Sequence, residues 1–217
     1  MRSLATLALC GLITGAPDLA MAQLGAQLGL VEPNVAADST LLKLPGMNAA
    51  TVEALTGAKP LLSIVAVDSI LASHGMSNSQ RGGLYRRMFV HVDLNRGSDA
   101  EFLLIPGMDG NKLKAIKAGR PWKSFEQFQA DFGKATSAAE AARVEQYVFI
   151  PIDLNTWTDP IMDSFAGIGV GTRQWKREFA EYRPWTSMEQ FRREISKYLR
   201  SRPQELKRLE RYVIINP

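Results

Sequence analysis

Residues Val92 to Phe128 read VDLNRGSDAEFLLIPGMDGNKLKAIKAGRPWKSFEQF. An extended start gives way to a helix, a tight glycine turn, a second helix, a Pro-Trp turn and a third helix. Ser98 and Glu101 have the spacing of a capping box, in which side chains satisfy the free N–H groups of a helix start. Phe102 and Ile105 lie three apart and share one helical face. Pro106-Gly107 stops that helix, because proline disfavours helix in the residue before it and glycine accepts positive φ. The next helix is predicted over Asn111 to Lys117. Ser124 and Gln127 open a third, with Phe125 and Phe128 packing behind.

The same grammar occurs three times. The turn glycine is Gly46, Gly107 and Gly167, at spacings of 61 and 60 residues, in KLPGMNA, LIPGMDG and SFAGIGV. An asparagine precedes each turn: Asn34, Asn95 and Asn155. A basic residue and proline follow, as Lys59-Pro60, Arg120-Pro121 and Arg183-Pro184, then Ser63, Ser124 and Ser187. Each copy ends on a β-prone run, beginning at Phe89, Tyr147 and Tyr212. Features this independent at one period make a tandem repeat. The third copy has 18 residues from Ala166 to Pro184 against 15 in the others, which predicts a longer middle helix.

The chain divides into a signal peptide at 1–22, a leader at 23–33 expected to pack loosely, and repeats at 34–92, 93–152 and 153–217. Arg2, the apolar run Leu4–Ala16 and Ala20-Met21-Ala22 have the order of an export signal with cleavage before Gln23. The expected location is the periplasm or outside the cell. The run is too short to span a bilayer. Cys10, the only cysteine, lies inside it, so the mature chain needs no disulfide. Within the repeats, Asp38 or Ser39 is expected to cap the first helix, and FGKATSAAEAARVEQY to turn at Gly133. The Lys/Arg and Glu of KYLRSRPQELKRLERY read as a solvated helical face.

Composition is that of a soluble globular protein, 46% hydrophobic and 22% charged, with net charge +4. Residues 23–92 carry five basic and four acidic side chains, 93–152 eight of each, and 153–217 twelve and nine, so the excess sits in the last third. No HExxH, cysteine pair, G-x-S-x-G or P-loop is present, and the two histidines, His74 and His91, do not recur at repeat positions. Gly167-Ile-Gly-Val-Gly follows a helix instead of a strand, which argues against a dinucleotide loop. No enzyme, cofactor or metal site is expected. Trp122 and Trp185 follow the repeat prolines where Leu61 stands in the first copy, which predicts packing in the core. A packing role is also expected for Trp175.

A tight turn feeding a helix points backbone N–H groups outward with the positive end of the helix dipole behind them, a ready site for phosphate. The L-P-G turn, the D-L-N start and the R-P-W-x-S continuation resemble the helix-hairpin-helix unit of competence-type (ComEA-like) DNA receptors. The resemblance covers Asn34 to Ile215 and implies an all-α fold of three tandem helix-hairpin-helix (SAM/ComEA-like) units joined by short extended linkers. It also implies binding of double-stranded DNA through phosphates, without sequence specificity. The third copy keeps the family's G-I-G: Gly167, Ile168, Gly169, Gly171 and Thr172 form the expected nucleic-acid-binding hairpin, with Arg173, Lys176 and Arg177 adding attraction and the amides of Gly169 and Gly171 holding a phosphate. In the second copy Gly107, Gly110 and Lys112 are candidates, but Asp109 puts a carboxylate where phosphate would approach. The alternative is a protein-interaction or scaffold module whose hairpins only terminate helices.

Overall fold

The computed structural model describes residues 24–25 and 29–216. The expected signal, Cys10 and the cleavage site lie outside the described residues. The protein is mainly helical, with twelve α-helices and four two-residue strands among the described residues. None of those helices is long and apolar enough to cross a membrane.

Three successive units share one path. The first runs through α1 (Asp38–Leu41), α2 (Ala49–Gly57), α3 (Ile64–Ser73) and α4 (Asn78–Leu84). The second opens with β1 (Val92–Asp93), continues through α5 (Asp99–Leu103), α6 (Gly110–Ala118), α7 (Phe125–Ala135) and α8 (Ala138–Glu145), and closes with β2 (Val148–Phe149). The third has β3 (Ile152–Asp153), α9 (Asp159–Ser164), α10 (Arg173–Glu181), α11 (Met188–Ser196), α12 (Gln204–Arg211) and β4 (Val213–Ile214).

The segments expected as plain extended linkers are hydrogen-bonded instead. In each unit the opening segment pairs in parallel with the closing one: Val31 with Met88, Val92 with Val148, and Ile152 with Val213. Parallel strands need a long crossover, and here the four helices supply it. Val92, Val148, Phe149 and Ile152 are fully buried, which suits their β-branched and aromatic side chains. Val92 therefore opens the second unit, one residue before the expected boundary. The 23–33 leader is not loosely packed where it is described. Leu24 is buried beside Phe149, a Cβ on Gly25 would collide with the Glu145 carbonyl, and Glu32 is 4% exposed. The first two units share one hydrophobic core, and the third builds its own around Phe149, Phe165, Phe179 and Tyr212.

The recurring polar residues hold each unit's ends together. Asn34, Asn95 and Asn155 each donate from Nδ2 to the carbonyl of Leu61, Trp122 or Trp185 (3.0, 2.9 and 2.9 Å). Each also accepts that residue's amide on Oδ1 (2.7, 2.7 and 2.8 Å). Arg120 donates to the carbonyls of Leu94 and Gly97, and Arg183 to those of Leu154 and Trp157; Lys59 reaches the Ala36 carbonyl. The Lys59-Pro60, Arg120-Pro121 and Arg183-Pro184 bonds are all cis. Ser63, Ser124 and Ser187 are N-caps of α3, α7 and α11. Trp122 and Trp185 are 2% exposed, and their indole N–H groups donate to the carbonyls of Ile116 and Phe179. Both face the core, as their repeat position predicts.

Several local expectations change. The capping box at Ser98 and Glu101 forms with both bonds. By contrast, α1 starts after Ala37, whose methyl side chain cannot cap it, and Asp38, already inside the helix, accepts from the Thr56 hydroxyl at 2.8 Å. Helix α7 runs through Gly133 to Ala135, so the turn falls at Thr136 and Ser137. The middle helices α2, α6 and α10 all have nine residues. The three extra residues of the third unit lie in the turn before α10, where a short 3-10 segment, Ala166–Ile168, is inserted.

Candidate nucleic-acid interface

That insertion moves the equivalence of the turn glycines. Gly46 and Gly107 have φ of 78° and 79°, the left-handed region that favours glycine. In the third unit the residue with this conformation is Gly169, φ 75°, not Gly167. The residue before each middle helix is its N-cap: Asn48, Asp109 and Thr172 accept from the amides of Thr51, of Asn111 and Lys112, and of Trp175. Asp109 thus corresponds to Thr172. Its carboxylate completes a helix start, and the bond from the Lys112 amide holds it below the ordinary aspartate range.

The two amides expected to hold phosphate are already used. Gly169 donates to the Ala166 carbonyl at 3.0 Å and Gly171 to the Phe165 carbonyl at 3.1 Å. Val170, between them, also donates to Phe165. Gly171 is buried, and a Cβ there would collide with the Met162 carbonyl oxygen; its glycine serves close packing of α9 against the turn. Ile168 is fully buried in the third core. Gly167 and Thr172 are exposed.

The cations divide into spent and unspent. Lys176 bridges Asp163 at 2.5 Å and Asp159 at 3.6 Å, and its ammonium is held above its ordinary value first by the bond to Asp163. Arg177 pairs with the buried carboxylate of Glu178 at 2.5 Å. In the second unit Lys112 donates to the Gly107 carbonyl at 2.8 Å and lies 3.2 Å from Glu140. Gly110 begins α6 in open space. Arg173 is exposed with no ion pair among the described residues, and so are Arg200, Arg202 and Lys207. These four, with the first amides of α10, are what the third unit still offers an anion.

Two arginines to which the sequence reading gave no role organise the hairpins. Arg208, taken there as part of a solvated face, is 3% exposed; its Nη1 donates to the Ile168 carbonyl at 2.7 Å and its Nε to Glu205 at 2.8 Å. Burial lowers the affinity of this guanidinium for its proton, but the Glu205 carboxylate outweighs it and the net direction is upward. In the second unit Arg143 likewise donates to the Pro106 carbonyl and pairs with Glu140 at 2.6 Å. Each arginine stands four residues before the repeat tyrosine, Tyr147 or Tyr212, the signal that could have found them. No family model matches the chain, and neither a search of curated proteins nor one of solved structures yields a match.

Proposed function

We propose that the chain is a non-enzymatic protein-interaction module of three helix-hairpin-helix units, exported and freed of its signal after Ala22, in which the hairpins serve the fold. The observation that supports this is the internal use of the third hairpin. The Gly169 and Gly171 amides and the Ile168 carbonyl all bond within the unit, so a phosphate at those amides would have to break native hydrogen bonds. The resemblance of the repeated residues supports the unit, and the internal use of the hairpin amides supports the role.

One observation favours the second reading, phosphate contacts to duplex DNA. The unpaired Arg173, Arg200, Arg202 and Lys207 all lie on the third unit. The deciding experiment is the salt dependence of binding of a labelled duplex by the mature protein. The interaction reading expects weak binding that Gly169→Asp leaves unchanged. Affinity that falls steeply with salt, and collapses in Gly169→Asp, would replace it with the DNA reading. Export is tested by the intact mass of periplasmic protein, which should begin at Gln23.

A further inference from the structure

Superposing the repeat positions singles out a groove between α1 and α2. In the second unit Lys117 crosses the corresponding groove to Asp99 at 2.8 Å. In the third, Lys176 crosses it to Asp159 and Asp163. Counting 61 residues back from the second unit, Asp99 corresponds to Asp38 and Lys117 to Thr56. The first unit therefore has the acid without the lysine. Asp38 holds only the Thr56 hydroxyl, and neither Asp38 nor Glu53 has an ion pair among the described residues. Where the third unit places Asp163 and Lys176, the first has Leu42 and Val52. The result is an open groove of about 420 Å3, with a floor of Leu42 and Val52 and a rim of Asp38 and Glu53, and with no basic side chain lining it. Leu42 is 46% exposed and its counterpart in the second unit, Leu103, is 51% exposed, so what sets the first groove apart is the missing cation.

We propose that this groove docks a segment of a partner protein that presents an apolar side chain next to a lysine or arginine. The apolar group covers Leu42 and Val52, and the cation supplies to Asp38 and Glu53 the charge that the other two units supply from within. An amphipathic helix with a basic flank has this chemistry. The inference rests on the interaction reading above and names the partner's character.

The probe is a short amphipathic peptide of leucine and lysine, with a leucine-glutamate peptide of the same pattern as its counterpart. The full mature protein should bind the lysine peptide at one site and ignore the glutamate peptide. Thr56→Lys rebuilds the bridge of the second unit and should weaken binding at least about tenfold, while Leu103→Asp in the second unit should not. Asp38→Asn combined with Glu53→Gln should weaken it comparably. These positions are exposed or half-exposed, and circular dichroism checks that each variant keeps its helices. Equal binding by Thr56→Lys, equal binding of the glutamate peptide, or no binding of either would overturn the proposal. So would a self-associating wild type that Thr56→Lys renders monomeric, since the occupant would then be a second copy. Failure of the peptide, with weak DNA binding that Gly169→Asp leaves unchanged, overturns this proposal alone. Salt-steep DNA binding sensitive to Gly169→Asp would remove the parent reading whatever the peptide does.

Discussion

The hairpin of the first unit and that of the third solve the same problem with opposite materials. Gly46 turns under the Met76 side chain, whose Cε lies 3.2 Å from where a Cβ would stand. Gly169 turns beneath Arg208, a buried charge tied to Glu205 and to the Ile168 carbonyl. The arginine position is occupied by Tyr85 in the first unit, where the hydroxyl bonds Asp68 instead. In the first unit an apolar cover suffices, whereas the equally short turn of the second lies under the Arg143 guanidinium. The turn of the third unit is three residues longer, and an inward carbonyl such as that of Ile168 needs a donor. Arg143 caps the Pro106 carbonyl of the second unit, whose turn is as short as the first's, so the arginine comes with the unit's last helix and the insertion of the third unit is accommodated beneath it.

The sharpest way to break this comparison is Arg208→Ala. It leaves the buried Ile168 carbonyl and the half-exposed Glu205 carboxylate without their donor, and should cost about 3 kcal/mol in urea unfolding. A loss below about 1 kcal/mol would mean that the longer turn stands by itself. Next, Asn155→Ala removes two hydrogen bonds that join the opening of the unit to Trp185, with an expected cost of about 2 kcal/mol. Asn34→Ala removes the same two bonds from the first unit and should match it. A smaller effect sharpens the glycine equivalence. Gly169→Ala should cost about 1 kcal/mol because of its positive φ, whereas Gly167→Ala should stay within about 0.5 kcal/mol. The reverse order would restore Gly167 as the junction.

The smallest effect concerns pH. The folded state holds the Asp109 carboxyl below its ordinary value of 3.8. A depressed folded pKa contributes stability above the ordinary value and loses it as pH falls through the lower, folded one. Acid unfolding of Asp109→Asn should therefore be slightly less pH-dependent in that range. The third unit provides the control, since Thr172 caps the equivalent helix without titrating.

Much of this was legible in the sequence. Asparagine, basic-proline and serine recur because each makes a local, directional bond that fixes the chain at one place, so spacing alone exposes them. The nine-residue middle helix was legible only in part: counting from Ala166 to Pro184 gives the three-residue excess but cannot say whether helix or turn absorbs it. The Val170 and Gly171 bonds back to Phe165, and the burial of Ile168, put it in the turn. The internal bonding of the candidate phosphate amides was hidden for a related reason. Glycine-rich turns before helices look alike whether their amides face solvent or their own preceding helix, and only the three-dimensional path tells which. Arg208 was hidden because a charged residue within a charged run carries no mark of being the one that turns inward. The groove at Asp38 stood out only once the lysines of the other two units were seen bridging it.

The parallel pairing of each unit's first and last segments has a mechanical meaning. Stretching the chain would pull Ile152 and Ile214 in opposite directions along their shared ladder. The bonds from the Ile152 amide to the Tyr212 carbonyl and from the Leu154 amide to the Ile214 carbonyl would then be loaded together instead of one after another. Each unit is in this sense a clasped loop. Tension along the chain meets the clasp before any of the helices inside it.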